Sequence, residues 1–232
     1  GTDNSLVGWK EDFDLAYCYP VPAQRHAAIY LNNAVKDSDK IVYVGGHSKG
    51  GNLAMAAAME ANNSISHKIM AVYNNDGPGF LNAEYHSPKF QNMARKLKVI
   101  IPEESFVGVL LSCTNKYQVV KSSAENIYQH DLTTWQCFGN FLLEGSQSKT
   151  SQKFQHKINT WINQTDKDNK ELLINSLFKV IEESQIQNFH EFRHLTWAQL
   201  STMIKEAKHL NEKSKQLLLE NLINLINHKG KE

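Results

Sequence analysis

Residues 42–60 read VYVGGHSKGGNLAMAAAME. An apolar run ends at Gly45 and Gly46, and an alanine-rich run with helical spacing begins directly after it. Between the two, Ser48 is flanked by Gly46 and Gly50 in a Gly-x-Ser-x-Gly pattern. A strand that turns into a helix at such a serine is the context of a nucleophile elbow, in which a strained turn holds the hydroxyl clear of the chain. On that reading, glycines at 46 and 50 leave room that Cβ atoms would fill, and Gly51 keeps the helix start bare. The backbone amide of Lys49 then points where an oxyanion would form. The competing reading is a tight glycine connection without chemistry.

On either side of this stretch, short apolar runs alternate with helical ones. Candidate strands lie at 13–19, 41–45, 69–74, 97–101 and 117–121. Between the first two, Ala27, Ala28, Leu31, Ala34 and Val35 share one helical face. After Ser48, the small residues Ala54, Ala57 and Ala58 suit a helix lying close against a sheet. Strands and helices in alternation predict a mainly parallel α/β sheet over residues 1–145. From residue 146 the chain turns polar, and helix patterns run at 153–164, 167–184, 197–208 and 212–228. Asp166 and Asn211 are placed as N-caps, and Thr196 with Gln199 forms a capping-box pattern. Residues 146–232 therefore read as an all-helical appendage or cap.

Composition narrows the partners. The 25 basic and 24 acidic residues of the 232 nearly cancel, so no general field draws nucleic acid or an anionic membrane. No apolar run reaches the roughly 18 residues of a membrane span. Cys18, Cys113 and Cys137 are odd in number and widely spaced, which fits reduced thiols in a cytoplasmic setting. No Walker loop or other cofactor motif is present, and no cofactor is expected.

A serine nucleophile needs a base, usually histidine, oriented by a carboxylate. In hydrolases built around this elbow the chain order is serine, acid, histidine. Of ten histidines, His26 precedes the serine. His47 adjoins it and is expected to pack beneath the turn. His67 and His86 precede the last strands, and His156 onward belong to the helical region. His130, in NIYQHDLTTW just after the last candidate strand, is the expected base. Asp76, in the tight NNDGPGF loop, is the favoured acid, with Glu104 and then Glu103 as alternatives. Asp131 adjoins the base and reads as a capping residue.

GHSKGGNLA, YNNDGPGF, IPEESFVGVLL and VVKSSAENIYQHDLTTW together resemble the α/β-hydrolase superfamily, and within it the class 3 lipases and a lipase-like bacterial family of unknown function. The resemblance covers roughly residues 1–140. It implies an ester substrate, a small molecule or a lipid, and further strands ahead of Gly1. GTDNSLVGWKEDF is similar to a lipase segment whose threonine supplies a second oxyanion donor, here Thr2, with Trp9 and Asp12 structural. In class 3 lipases the acid falls near Glu104 or Ser105, whereas the bacterial family points to Asp76. Residues 80–96 are a candidate lid, and SFVGVLL at 105–111 is either an acyl-pocket wall or core.

One motif competes. HEFRH, from His190 to His194, fits the His-Glu-x-x-His pattern of zinc proteases. The helix start at Thr196 places it beside a connection, and solvated helix-end residues are the simpler reading. A serine esterase is thus the leading expectation, and a hydrolase fold retained only for binding or scaffolding is the alternative.

Overall fold

The computed structural model of the chain describes residues 6–114, 116–183, 201–202, 205–206 and 208–217. Helices α1 (Leu6–Asp14) and α2 (Pro22–Ala34) lead into strand β1 (Val42–His47) and helix α3 (Lys49–Met59). Then follow α4 (Asn63–Ser66), β2 (Ile69–Asn75), α5 (Asn82–Tyr85), α6 (Pro88–Ala94), β3 (Leu97–Pro102) and β4 (Gln118–Val120). Two 3₁₀ turns, Asn126–His130 and Leu132–Thr134, precede the hairpin β5 (Cys137–Phe138) and β6 (Phe141–Leu142). Helices α7 (Lys149–Gln164) and α8 (Lys167–Glu183) come next.

The four strands form one sheet in the order β1-β2-β3-β4, and every neighbouring pair is parallel. All carboxyl ends therefore lie along one edge, where open α/β sheets place their ligand sites. Ser48, Asp76 and Glu103 each follow directly on one of these ends.

The side chains explain the layering. In β2, Ile69, Ala71, Val72 and Asn74 are buried. The alanines of α3 let that helix lie flat against β1 and β2, and Ala54, Ala56, Ala57 and Ala58 are all buried there. At the start of α2, Pro22 supplies a preset φ at the first helical position. The Gln24 side chain accepts from Val21 N at 2.9 Å and donates to Asn52 Oδ1 at 2.7 Å.

The central cluster gathers Met55, Val72, Phe80, Phe90, Met93, Val99, Ile101 and Val109. This corrects the lid expectation for residues 80–96. Phe80, Phe90 and Met93 are core residues there, and moving the segment would expose them. Residues 105–111 resolve towards core in the same way, since Val109 and Leu111 are buried.

The described chain falls into two compact units, one spanning residues 18–164 and the other combining 6–17 with the described residues from 165 onward. Helix α7 thus belongs to the first unit with the sheet. In the second unit α1 packs on α8, with the Phe13 and Phe178 ring centroids 5.4 Å apart. Here the strand expected at 13–19 is corrected. Residues 13 and 14 end helix α1 and 15–17 form a turn, closed by Tyr17 Oη donating to Asp14 Oδ1 at 2.6 Å. Phe13, Leu15 and Tyr17 alternate as a strand would, but Phe13 finds its partner on a helix. Asp166 caps as expected, accepting from Asn169 N at 2.8 Å, and Asn211 Oδ1 accepts from Ser214 N at 2.9 Å. The Thr196 capping box lies outside the described residues. Among the described residues no helix is long and apolar enough to cross a membrane.

Candidate active site

Ser48 joins β1 to α3 with φ 56° and ψ −133°, a region that a non-glycine residue enters only when its surroundings hold it there. Three contacts do so. Ser48 N donates to Asn75 O at 3.0 Å, and Gly51 N donates to Ser48 O at 2.9 Å. Gly77 lies against the Ser48 carbonyl so closely that a Cβ there would overlap it.

The glycines contribute unequally. A Cβ on Gly46 would run into the backbone of Gly50, with Gly51 N only 2.7 Å away. One on Gly51 would strike the Asn74 amide, 3.0 Å from its Cγ. Gly50 faces open space, with nothing within 4 Å. The steric purpose expected of Gly50 therefore belongs to Gly51. By admitting the buried Asn74, Gly51 also fixes the next loop, because Asn74 Oδ1 accepts from Gly77 N at 2.8 Å and Nδ2 donates to Gly77 O at 2.9 Å.

That loop carries Asp76, fully buried at 0% exposure with φ 49°. Three donors converge on its carboxylate. His130 Nδ1 lies 2.6 Å from Oδ2, Gly108 N donates to Oδ1 at 3.1 Å, and Ser105 Oγ donates to Oδ1 as well. A carboxylate accepts only, so the Asp76 contact puts the proton of neutral His130 on Nδ1 and leaves Nε2 with an open lone pair. Of the three carboxylates considered, Asp76 is the one that meets His130.

The other two hold the surrounding loops. Glu104 Oε2 accepts from Asn126 N at 2.6 Å and Glu104 N donates to Gln129 Oε1 at 2.9 Å, which ties it to the turn bearing His130. Trp135 supports the same turn by donating Nε1–H to Gln129 O at 2.9 Å. Glu103 Oε1 accepts from Ser146 N at 3.3 Å, and the Glu103 carbonyl oxygen accepts from Ser148 N at 2.8 Å. Asp131 caps the following turn by accepting from Thr133 N at 2.9 Å.

His47 packs differently from the expectation of a place beneath the turn. Its ring lies against that of His130, centroids 4.5 Å apart, and its Nε2 is 2.8 Å from the His130 carbonyl oxygen. A carbonyl only accepts, so His47 carries its proton on Nε2. Burial first, and then the His130 ring, push the His47 imidazole below its ordinary 6.5. The unfolded chain therefore binds the proton more readily than the folded one. The stability His47 contributes is complete above about pH 6.5 and declines as the pH falls below it. His47→Gln keeps an amide donor and removes the titration, so its melting temperature should drop less than that of the wild type between pH 7 and pH 5. Parallel melting curves would refute this.

Ser48, Asp76 and His130 are thus linked near one sheet edge: Gly77, next to Asp76, lies against the Ser48 carbonyl, and His47, next to Ser48, packs on the His130 ring. The structure gives no hydrogen bond between the Ser48 hydroxyl and the His130 ring. Lys49 opens α3 and is buried, so its amide lies in the first turn, where N–H groups point out of the helix end. Thr2 and the His190–His194 motif lie outside the described residues. Among the described residues no cluster of His, Cys, Asp and Glu is suited to a metal ion. Ser105 and Gly108 as donors to Asp76 escaped the sequence reading, because no spacing marks a serine or glycine as a carboxylate's partner.

Comparison with known proteins gives one family. A family model described as Mbeg1-like matches residues 1–179. No curated protein and no solved structure matches the chain.

Proposed function

We propose, for a chain that belongs to the lipase-like Mbeg1-like family, that Ser48, His130 and Asp76 form the triad of a serine hydrolase acting on a carboxylic ester. The observation that carries this reading is the 2.6 Å contact of His130 Nδ1 with a fully buried carboxylate. It leaves Nε2 as an acceptor on a ring that packs against His47, the residue before Ser48. Support also comes from the sharp turn at Ser48, the setting of a nucleophile elbow. A relaxed hydrogen bond between nucleophile and base is common before substrate binds and tightens in the complex.

In this mechanism Ser48 Oγ attacks the acyl carbonyl carbon as His130 Nε2 takes its proton. Asp76 stabilises the imidazolium so formed without taking up a proton itself. The Lys49 amide, with Thr2 as a second donor, holds the oxyanion. Collapse of the intermediate breaks the ester C–O bond, and His130 returns the proton to the departing alcohol. Water, deprotonated by the same imidazole, then attacks the acyl-serine; the acyl C–Oγ bond breaks, His130 returns the proton to Ser48 Oγ, and the acid is released.

The ester class rests on the lipase-like family, and a small-molecule or lipid ester is the proposed substrate. Neither a cofactor nor a metal enters the mechanism, and no nucleic-acid partner is proposed. A fluorophosphonate probe tests the reading. Folded protein should be labelled on the peptide containing Ser48, located by mass spectrometry, and heat-denatured protein should not. A folded, full-length protein that stays unlabelled and turns over no p-nitrophenyl ester overturns the assignment and favours a hydrolase fold kept as a binding module.

A further inference from the structure

The acid at the centre of the proposed triad is held from a distance. Asp76 Oδ1 receives both the Ser105 hydroxyl and Gly108 N, and Gly108 N also lies 3.1 Å from Ser105 Oγ. Ser105 is itself buried at 1% exposure. Its carbonyl oxygen accepts from the hydroxyl of Ser151 at 2.6 Å. Ser151, on α7 and fully buried, is fixed in turn. Its N–H donates to Ser148 Oγ at 3.1 Å, and its hydroxyl oxygen accepts from Gln147 Nε2 at 3.0 Å. Ser148 N donates to Glu103 O at 2.8 Å, a second tie between the start of α7 and the loop after β3.

A continuous line of donors thus runs from α7 through residue 105 to the carboxylate and on to His130. The Ser105 hydroxyl faces a buried carboxylate and the Ser151 hydroxyl a buried carbonyl, and losing either leaves a buried acceptor short of a donor. The first link decides how firmly the carboxylate is oriented. The second decides where the backbone that carries the first one sits.

We propose that Ser105 and, acting through it, Ser151 are positioning residues for Asp76, so that helix α7 braces the acid of the site. The proposal rests on the serine-hydrolase reading for its effect on rate but not for the brace itself. Neither serine touches substrate. Their loss should therefore change kcat and leave KM alone. A single hydrogen bond to a charged group corresponds to a loss of about tenfold or somewhat more. Ser105→Ala should lower kcat about tenfold. Ser151→Ala should lower it by a smaller factor. The double variant should be little worse than Ser105→Ala, because Ser151 acts only through its neighbour.

The proton between His130 Nδ1 and Asp76, in a contact of 2.6 Å, supplies an independent readout, since it should resonate far downfield in the proton NMR spectrum. Ser105→Ala should move or broaden that signal, and Ser151→Ala should do so to a lesser degree. Because the signal needs no turnover, it tests the brace even in a protein that hydrolyses nothing. Failure of fluorophosphonate labelling with a sensitive signal would sink the hydrolase reading and keep the brace. Signals and kcat values that coincide with wild type in both variants overturn the brace. Ser151→Ala removes no atom that touches Asp76 and carries the test should Ser105→Ala not fold.

Discussion

Asp76→Asn should lower kcat/KM for a p-nitrophenyl ester about 10,000-fold while the protein stays folded. The argument is one of donors and acceptors. Ser105 Oγ and Gly108 N both donate to Oδ1. In the variant those two donors hold the amide oxygen in that place, and the NH₂ group is left at the position of Oδ2. It then faces His130 Nδ1, which must become an acceptor, and the ring proton moves to Nε2. An imidazole protonated on Nε2 cannot receive the proton of Ser48. The backbone is spared, because asparagine tolerates the left-handed conformation that residue 76 adopts at φ 49°. Glu104→Gln and Glu103→Gln should each retain activity within a few-fold, since these side chains bind loop amides rather than His130. Near-wild-type activity in Asp76→Asn, or an equal loss in Glu104→Gln, would remove Asp76 from the role.

The sequence disclosed much of this and concealed an instructive remainder. The parallel sheet was legible because its strands are apolar, its crossover segments carry helical periodicity, and the alanines after Ser48 announce a helix packed closely on strands. Four of the five expected strands stand within two residues of their predicted bounds at either end. The fifth, at 13–19, failed because alternation over so short a span does not identify the partner, and the partner of Phe13 proved to be Phe178 on α8. His130 and Asp76 could be ranked because the order of the chain and the tight Gly-Pro-Gly loop restrict the choices. Nothing local could rank Ser105 or Ser151. Their importance arises from long-range geometry, in which a loop at 105 meets a carboxylate at 76 and a helix at 151. The lid expectation failed for a related reason, since Phe80, Phe90 and Met93 are dispersed in sequence and only folding shows that they share a core.

Gly46→Ala and Gly50→Ala should part company by about 3 kcal/mol, although the Gly-x-Ser-x-Gly pattern treats their positions alike. At residue 46 an added methyl would occupy the place of the Gly50 carbonyl carbon and oxygen, and Gly51 N would lie 2.7 Å away. These are backbone atoms of the first turn of α3, which is pinned by Gly51 N donating to Ser48 O at 2.9 Å and buried along most of its length. No side chain can swing aside to relieve the overlap. Either the helix start lifts away from β1, or Ser48 leaves its conformation at φ 56°. The first outcome opens the core beneath α3, and the second moves the hydroxyl from the site. At residue 50 the methyl meets nothing within 4 Å, and alanine is the better helix former there by up to about 1 kcal/mol. For a unit of this size, Gly46→Ala should thus melt about 10 °C below wild type and resist fluorophosphonate labelling, whereas Gly50→Ala should melt at or slightly above it. Equal melting temperatures for the two variants would show that the turn at Ser48 is slack, and a slack turn cannot present the hydroxyl that the hydrolase reading requires.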